Sequence, residues 1–321
     1  MALTFAIPDT ELSATLHNRR SAVVDQIFKG TATLNALRRF GGITTEDGGY
    51  EIVQPLRFAK NTAAGSFSGY DLLDTTPQDT LTSGKWPWAD NYATISISWD
   101  EAQKNKGRGR LLNLLNQKTD DAGDTIRDLL NTQLLQAAPA AGSKDPISLQ
   151  ETVQVDPTTN PARTSSIGSI SDANTWWRNK QLNGAAFSVA DMTQVYNDIS
   201  DGTEFADLLL TSQTVFQYYE NSQTGLIRYN DTKMADAGFQ NLMFKATPMV
   251  WDPLIGLSNA MYFLNFKYLK LVMNEGCDFI TTDFIEPDNQ AAKVAKILWM
   301  GNLICTGRRR QGILHTITAP A

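Results

Sequence analysis

Two strand-like segments separated by a very long excursion restrict the possible folds more than any other feature of this sequence. Tyr50 to Phe58 follows the turn signal Glu46-Asp47-Gly48-Gly49 and has the composition of a strand. Tyr92 to Trp99 alternates apolar and polar residues, which predicts a second strand with one buried face. The roughly thirty residues between them far exceed the usual hairpin loop of about 2–5 residues. We therefore expect a long two-stranded arm that projects from the body of the protein.

The arm is rich in Gly, Ser, Thr and Asp, yet it carries four large aromatic residues: Phe67, Tyr70, Trp86 and Trp88. A lone two-stranded ribbon has no second layer against which such side chains can be buried. Left in water they would form an apolar patch, the usual mark of a partner surface. We therefore predict that these four residues contact a neighbouring subunit. The alternative is that they fold back onto the chain's own β layer.

Helical periodicity is typical of the N-terminal region as well. Apolar residues recur at one-face spacing between Leu12 and Ile27. The same region carries two basic pairs, Arg19-Arg20 and Arg38-Arg39. A solvated face is the first interpretation of these pairs, and contact with the acidic surface of a neighbouring subunit is the second.

A long amphipathic helix is predicted after the second strand. Its apolar residues recur at helical spacing from about Asp100 to Ala138, and Pro139 ends the pattern. The segment that follows, up to Ser171, is rich in Pro, Gly, Ser and Thr, which is typical of a boundary with surface loops.

The rest of the chain alternates short helices with short strands. Between Asp172 and about Met273 this pattern predicts a compact α+β lobe. The tail is predicted to form a hairpin in which Val294 to Thr306 pairs with Gln311 to Thr318. Its three consecutive arginines, Arg308 to Arg310, would lie at the hairpin tip, either solvated or in salt bridges between subunits.

The charge balance argues against a protein whose task is to grip nucleic acid. The chain has 28 Lys and Arg against 34 Asp and Glu, a formal charge of −6, whereas phosphate binding requires a basic excess. DNA beside this protein would be enclosed without sequence-specific binding. The two distant cysteines, Cys277 and Cys305, fit buried thiols in a reducing cytoplasm. Lysines interrupt the most apolar stretches, so no membrane span is expected.

No set of residues in the sequence has the pattern of a catalytic site. The only two histidines, His17 and His315, lie near opposite ends of the chain. Phe67 stands where a hydrolase nucleophile motif would have its serine, and Gly84-Lys85 lacks the rest of a phosphate-binding loop. The aspartates of the long helix fit a solvated surface better than a metal site, which needs convergent ligands. We therefore predict no catalytic residue, no metal, no cofactor and no enzyme activity.

The order of these elements, together with five segments, resembles the major capsid proteins of tailed double-stranded DNA bacteriophages. The segments are residues 26–39, 45–56, 65–79, 244–253 and 262–269. The resemblance implies an α+β capsid fold with five parts: an N-terminal arm (1–42), an extended loop with its flanking strands (43–99), a spine helix in a peripheral domain (100–139), an axial domain (140–285) and C-terminal strands that return to the peripheral domain (286–321).

The resemblance also implies a function. It predicts a structural protein of the virion that assembles in the host cytoplasm, through pentamers and hexamers of itself, into an icosahedral shell around the phage genome. Portal and scaffolding or decoration proteins would be further partners. Some relatives crosslink through a lysine of the extended loop; Lys60 and Lys85 lie there, but no matching asparagine or glutamate is identified. A cargo-enclosing nanocompartment shell is the alternative, and a two-lobed α+β hydrolase is less favoured.

Overall fold

Two β-sheets, a separate two-stranded ribbon and one 28-residue helix form the framework of the chain. The computed structural model describes residues 31–105, 108–137, 139–140, 142–159, 166–223 and 241–320. The helices are α1 (Ala32–Arg39), α2 (Trp99–Lys104), α3 (Arg108–Leu135), α4 (Leu149–Thr152), α5 (Val189–Ile199) and α6 (Gln213–Ser222). The strands are β1 (Ile43–Glu46), β2 (Ile52–Arg57), β3 (Leu81–Trp86), β4 (Ala89–Ser98), β5 (Lys180–Asn183), β6 (Leu208–Thr211), β7 (Asn241–Phe244), β8 (Thr247–Trp251), β9 (Met261–Leu264), β10 (Leu269–Asn274), β11 (Ile280–Thr281), β12 (Ala292–Cys305) and β13 (Gly312–His315).

The five-stranded sheet is built around β12, the longest strand. β12 pairs antiparallel with β4 from Ala292 opposite Ser98 to Gly301 opposite Ala89, and with β10 and β11 along its other edge. Successive residues of β4 alternate between buried and exposed, as the sequence predicts for a half-covered strand. The buried face, which includes Ile95 and Ile97, shares one apolar cluster with Leu115 and Ile126 of α3. The long helix therefore covers one face of this sheet.

The predicted long helix is in fact two helices. Ser98 and Glu101 form a capping box that starts α2, and Asn105 ends it through bonds to the Glu101 carbonyl oxygen. Helix α3 then begins at Arg108. Asn and Gly are both poor helix formers, so Asn105 and the nearby Gly107 and Gly109 favour a break at this point.

The six-stranded sheet has the order β5-β13-β9-β6-β8-β7. Helices α5 and α6 pack against it in a second apolar cluster that includes Met192, Val215, Met249 and Phe263. Serine side chains cap both helices: the Ser188 hydroxyl accepts from the Ala190 N–H, and the Ser212 hydroxyl accepts from the Val215 N–H.

The ribbon differs from the predicted arm in its pairing. β2 pairs antiparallel with β3, from Ile52 opposite Trp86 to Arg57 opposite Leu81, while β4 is a central strand of the five-stranded sheet. The described residues 58–80 between β2 and β3 form neither helix nor strand. We call residues 58–80 the extended loop. The arm is thus a short ribbon that carries a long loop, because β4 buries its apolar face under α3.

The predicted C-terminal hairpin is wrong. β12 belongs to the five-stranded sheet, whereas β13 lies between β5 and β9 in the six-stranded sheet. The Arg308–Arg310 turn crosses from one sheet to the other, and Arg308 is completely buried instead of solvated. The chain crosses in both directions, because β10, which follows β9 of the six-stranded sheet, pairs with β1 and β12. The chain therefore passes between the two sheets more than once.

Candidate assembly surface

The extended loop exposes large apolar side chains that contact little of their own chain. Phe67 is 66% exposed and Leu73 60% exposed, while Tyr70 and Leu72 are fully exposed. The segment from Phe67 to Asp74, which we call the loop tip, therefore presents four apolar side chains to solvent. Apolar side chains concentrated in this way are typical of an interaction surface.

Local hydrogen bonds shape the loop in the absence of a core. The Asp71 carboxylate accepts from the Ser68 N–H (2.8 Å), and the Thr62 hydroxyl donates to the Gln78 side chain (2.9 Å) across the two limbs of the loop. The Asp74 carboxylate accepts from the hydroxyl (2.6 Å) and the N–H (2.9 Å) of Thr76. These bonds lower the pKa of Asp74 and favour its charged form.

The extended loop is acidic beyond its first residues. Between residues 61 and 80 the chain has three aspartates, Asp71, Asp74 and Asp79, and neither Lys nor Arg. The loop is therefore negatively charged as well as apolar.

Trp86 corrects one of the predicted contacts. Its side chain is 1% exposed and packs with Ile52, Leu56 and Trp177 in a third apolar cluster. Gly84 makes room for the indole, since a Cβ atom there would overlap the ring of Trp86. A side chain buried in this way is not available to a neighbouring subunit. The alternative kept open by the sequence, folding back onto the chain's own β layer, is the correct one for Trp86.

The other predicted contact residues occupy varied positions. Trp88 is half-buried beside the same cluster, and its Nε1–H donates to the Gly49 carbonyl oxygen (2.9 Å). Arg38 is exposed at the end of α1, and the Arg39 guanidinium lies 5.0 Å from the centroid of the Phe40 ring. Arg19 and Arg20 lie outside the described residues.

A cleft of about 850 Å³ opens where the extended loop leaves the ribbon. One wall is the end of β2 with Phe58, Ala59 and Lys60, and the opposite wall includes the turn that connects β12 to β13. Five basic residues line the cleft, against two acidic ones, Asp198 and Asp201. The basic residues are Arg57, Lys60, Arg308, Arg309 and Arg310.

Two of these arginines are already paired. Arg310 forms an ion pair with Asp201 and thereby lowers the pKa of that carboxyl. Arg308 is paired with Asp172. Within the described ranges, Arg57, Lys60 and Arg309 form no ion pair, although the charges of Lys60 and Arg309 also help to lower the pKa of Asp201. The cleft therefore keeps an excess of positive charge next to the aromatic rings of Phe58 and Trp176, whose centroids are 5.8 Å apart.

Arg308 is the residue that sequence reasoning missed. Its guanidinium donates to the Thr152 carbonyl oxygen (2.9 Å), Asp172 (3.2 Å), Gln154 (2.9 Å) and Asn179 (3.4 Å). Burial lowers its pKa while Asp172 opposes that effect, and an arginine stays charged in such a site. Three arginines in a row are typical of a solvated turn, and the partners lie more than a hundred positions away. No local signal identifies the buried one.

The described side chains offer little for catalysis. Among them, no group of three or more His, Cys, Asp and Glu is arranged to hold a metal ion. His315 is hydrogen-bonded to Thr316 and Gln181, and burial lowers its pKa; His17 lies outside the described residues. No helix in the described part of the chain is long and apolar enough to cross a membrane.

The ribbon with its extended loop, the long helix across a five-stranded sheet and the second α+β lobe define the α+β fold of tailed-phage capsid proteins. Comparison with solved structures gives this class of fold directly. No protein-family model matches the chain, and no curated protein matches it in sequence.

Three solved structures illustrate the likeness. The capsid of cyanophage A-1(L) has a TM-score of 0.66 at 15% identity and covers 89% of this chain and 92% of its own. The capsid of a native GTA particle has a TM-score of 0.56 at 9% identity and covers 88% and 90%. The holo-SrpI encapsulin complex from Synechococcus elongatus has a TM-score of 0.56 at 8% identity and covers 88% and 86%.

Proposed function

We propose that this chain is a major capsid protein, a structural subunit that assembles with copies of itself into an icosahedral shell around a phage genome. The observation that carries the proposal is the match to the cyanophage capsid over 89% of this chain and 92% of that one. A match over nearly all of both chains supports a shared order of elements, because few residues of either chain are left outside it. The protein would act as a structural subunit of the shell and not as an enzyme.

The parts of the chain would divide the work of assembly. Residues 1–42 would form an arm, 43–99 the extended loop with its strands, 100–139 the spine helix of a peripheral domain and 140–285 an axial domain at the symmetry axes. Residues 286–321 would return to the peripheral domain. We expect Phe67 and Tyr70 to contact neighbouring subunits, and we retain Trp88, Arg38 and Arg39, together with Arg19 and Arg20, as further contacts.

Further partners follow from the proposed role. A phage shell requires a portal, and scaffolding or decoration proteins would assist its assembly. The packaged DNA would be enclosed without sequence-specific binding, which agrees with the formal charge of −6. The shell would assemble in the host cytoplasm and end in the virion.

Electron microscopy of the purified full-length protein tests the proposal. Negative-stain images and size-exclusion chromatography should reveal closed particles far larger than a small oligomer. An enzyme of this size would elute as a monomer or small oligomer, and that result at every protein concentration, with or without co-expressed phage proteins, would contradict the proposal.

A cargo-enclosing nanocompartment is the second candidate, because the encapsulin complex matches this chain about as well as the GTA capsid does. The two candidates differ in their contents. Particles isolated from the native source should contain DNA if the chain is a phage capsid protein. A single co-purifying enzyme inside the particles, with no DNA, would favour the nanocompartment.

A further inference from the structure

The loop tip and the basic cleft have complementary chemistry. The loop tip carries Asp71 and Asp74 between the exposed side chains of Tyr70, Leu72 and Leu73. The cleft combines Arg57, Lys60 and Arg309 with the aromatic rings of Phe58 and Trp176. The loop tip is acidic and apolar, and the cleft is basic and aromatic. The two surfaces therefore match in charge and in apolar character, the two properties that hold protein interfaces together.

The loop tip does not occupy the cleft of its own chain. Tyr70 and Leu72 are fully exposed, whereas Phe58, Ala59 and Lys60, where the same loop begins, line the cleft. The loop therefore starts in the cleft wall and leads away from it. From Phe58 to Tyr70 an extended chain can reach about 40 Å, which is enough to contact an adjacent molecule.

We infer that the loop tip of one subunit docks into the basic cleft of a second copy of this chain, beside the base of that copy's own loop. This inference rests on the proposed shell function and names the partner surface of the extended loop. The aspartates of the tip would pair with Arg57, Lys60 and Arg309, while Tyr70 and Leu72 would pack on the aromatic wall.

Docking of this kind is head-to-tail. Each subunit uses its tip once and its cleft once, so the contact is heterologous and generates a closed ring when the rotation between neighbours allows closure. Rings of five and six are the units from which an icosahedral shell is made. Within one subunit, the limb of the extended loop separates the loop tip from the cleft. The length of this limb would therefore help to set the distance between neighbouring subunits.

Charge reversal tests the inference. The cleft variant is Arg57→Glu with Arg309→Glu, the tip variant is Asp71→Lys with Asp74→Lys, and the swap variant combines all four changes. The swap variant has the wild-type net charge, so it controls for charge reversal itself. All four positions are exposed or in a loop, and circular dichroism with thermal melting checks that each variant folds.

The expected results follow from the pairing. The cleft and tip variants should each lower the yield of particles about tenfold or more, because like charges then meet at the interface. The swap variant should recover the wild-type yield. An equimolar mixture of the cleft and tip variants should also form particles, since the basic tip of one now meets the acidic cleft of the other.

Other outcomes would overturn the inference and leave the shell function intact. If the wild-type protein forms particles and the cleft and tip variants do so equally well, the contact does not exist. If both variants fail and the swap variant does not recover, the two surfaces do not meet. A cleft variant that forms normal particles with less bound nucleic acid would assign the cleft to phosphate binding. Only a wild-type protein that forms no particles would count against the proposed function itself.

Discussion

A single buried side chain can connect distant parts of a chain, and Arg308 is the clearest example in this protein. Its guanidinium joins α4 and the segment after it to Asp172 and Asn179, which precede β5. Arginine suits this position because its planar head has five donors in a fixed arrangement. The charge is compensated by Asp172, and the remaining donors bond to neutral oxygens. A buried group of this kind is costly to break.

Removing the Arg308 side chain should therefore destabilise the protein strongly. We expect Arg308→Ala to lower the free energy of unfolding by about 3–5 kcal/mol, because Asp172 would remain buried and charged without its partner. Arg309→Ala, at the exposed neighbouring position, should change it by less than about 0.5 kcal/mol. Urea denaturation of the unassembled protein measures both. Equal midpoints for the two variants would contradict the assignment.

A half-buried carboxyl, that of Asp207, should make stability depend on pH. Burial raises the pKa of Asp207, and its Oδ2 accepts from the Phe266 N–H (2.8 Å), which only partly offsets that effect. The folded-state pKa then lies above the unfolded value of about 3.9. The stability that protonated Asp207 contributes is therefore present below the unfolded value and is lost as the pH rises through the folded pKa.

Asp207→Asn isolates this effect, because the amide oxygen can still accept from Phe266 but no longer titrates. The free energy of unfolding of the variant, minus that of the wild type, should increase as the pH rises from about 4 to 7. Urea titrations at several pH values measure the difference. The pKa of Asp252 is also raised by burial, but Asp252 is present in both proteins and its contribution cancels. A difference that stays constant with pH would contradict this prediction.

At the scale of elements, the interactions that hold the extended loop differ from those that hold the rest of the chain. The ribbon is anchored by Trp86 and Ile52 in the third apolar cluster. Residues beyond it are held by hydrogen bonds between exposed groups, such as Thr62 to Gln78. Exposed backbone with few buried contacts opens at low free-energy cost. We expect the loop to become well ordered when a neighbouring subunit covers it.

Replacing residues 61–79 with a short Gly-Ser linker should separate folding from assembly. The variant should keep the thermal stability of the wild type, since the segment contributes no buried core, and it should form no closed particles. A linker variant that retains Phe67 to Asp74 at the tip provides the control. Amides of residues 61–79 in the wild type should exchange quickly before assembly and slowly in particles. Normal particles from the first variant would contradict an assembly role for the loop.

At the scale of the whole molecule, the two sheets share one apolar cluster. Ile95 and Leu303 of the five-stranded sheet belong to the same cluster as Leu208 and Leu264 of the six-stranded sheet. Strand order reinforces this link, because the chain passes from β9 to β10 and from β12 to β13 between the sheets. Lobes that share a core in this way are expected to unfold together.

Truncation of a shared core residue tests this cooperativity. Leu264→Ala, at a fully buried position in β9, should lower the free energy of unfolding by about 2–5 kcal/mol. Hydrogen exchange should show the same loss of protection in β4 and in β9, although β4 contains no changed residue. Leu298→Ala, on the exposed face of β12, should have a much smaller effect. A loss of protection confined to β9 and its neighbours would indicate that the lobes unfold independently.

The sequence by itself determined the properties that depend on neighbouring residues. The alternation in β4, the serine caps of α5 and α6, and the presence of a long amphipathic helix are all visible in local spacing. The unusual length of the segment after β2 and the exposure of Phe67 and Tyr70 also follow from local composition. Local patterns predicted an α+β chain with a partner surface in the loop, and the resemblance of five segments to tailed-phage capsid proteins implied the capsid fold.

Only the tertiary structure decided which segments meet. It paired β2 with β3, placed β12 and β13 in different sheets, and buried Trp86 and Arg308. The periodicity of a strand specifies which face is buried but not which strand lies beside it, because pairing depends on contacts between residues far apart in the chain. For the same reason, the cleft made from the end of β2 and the turn after β12 is absent from any local pattern. Its walls come together only when both sheets have formed around their shared core.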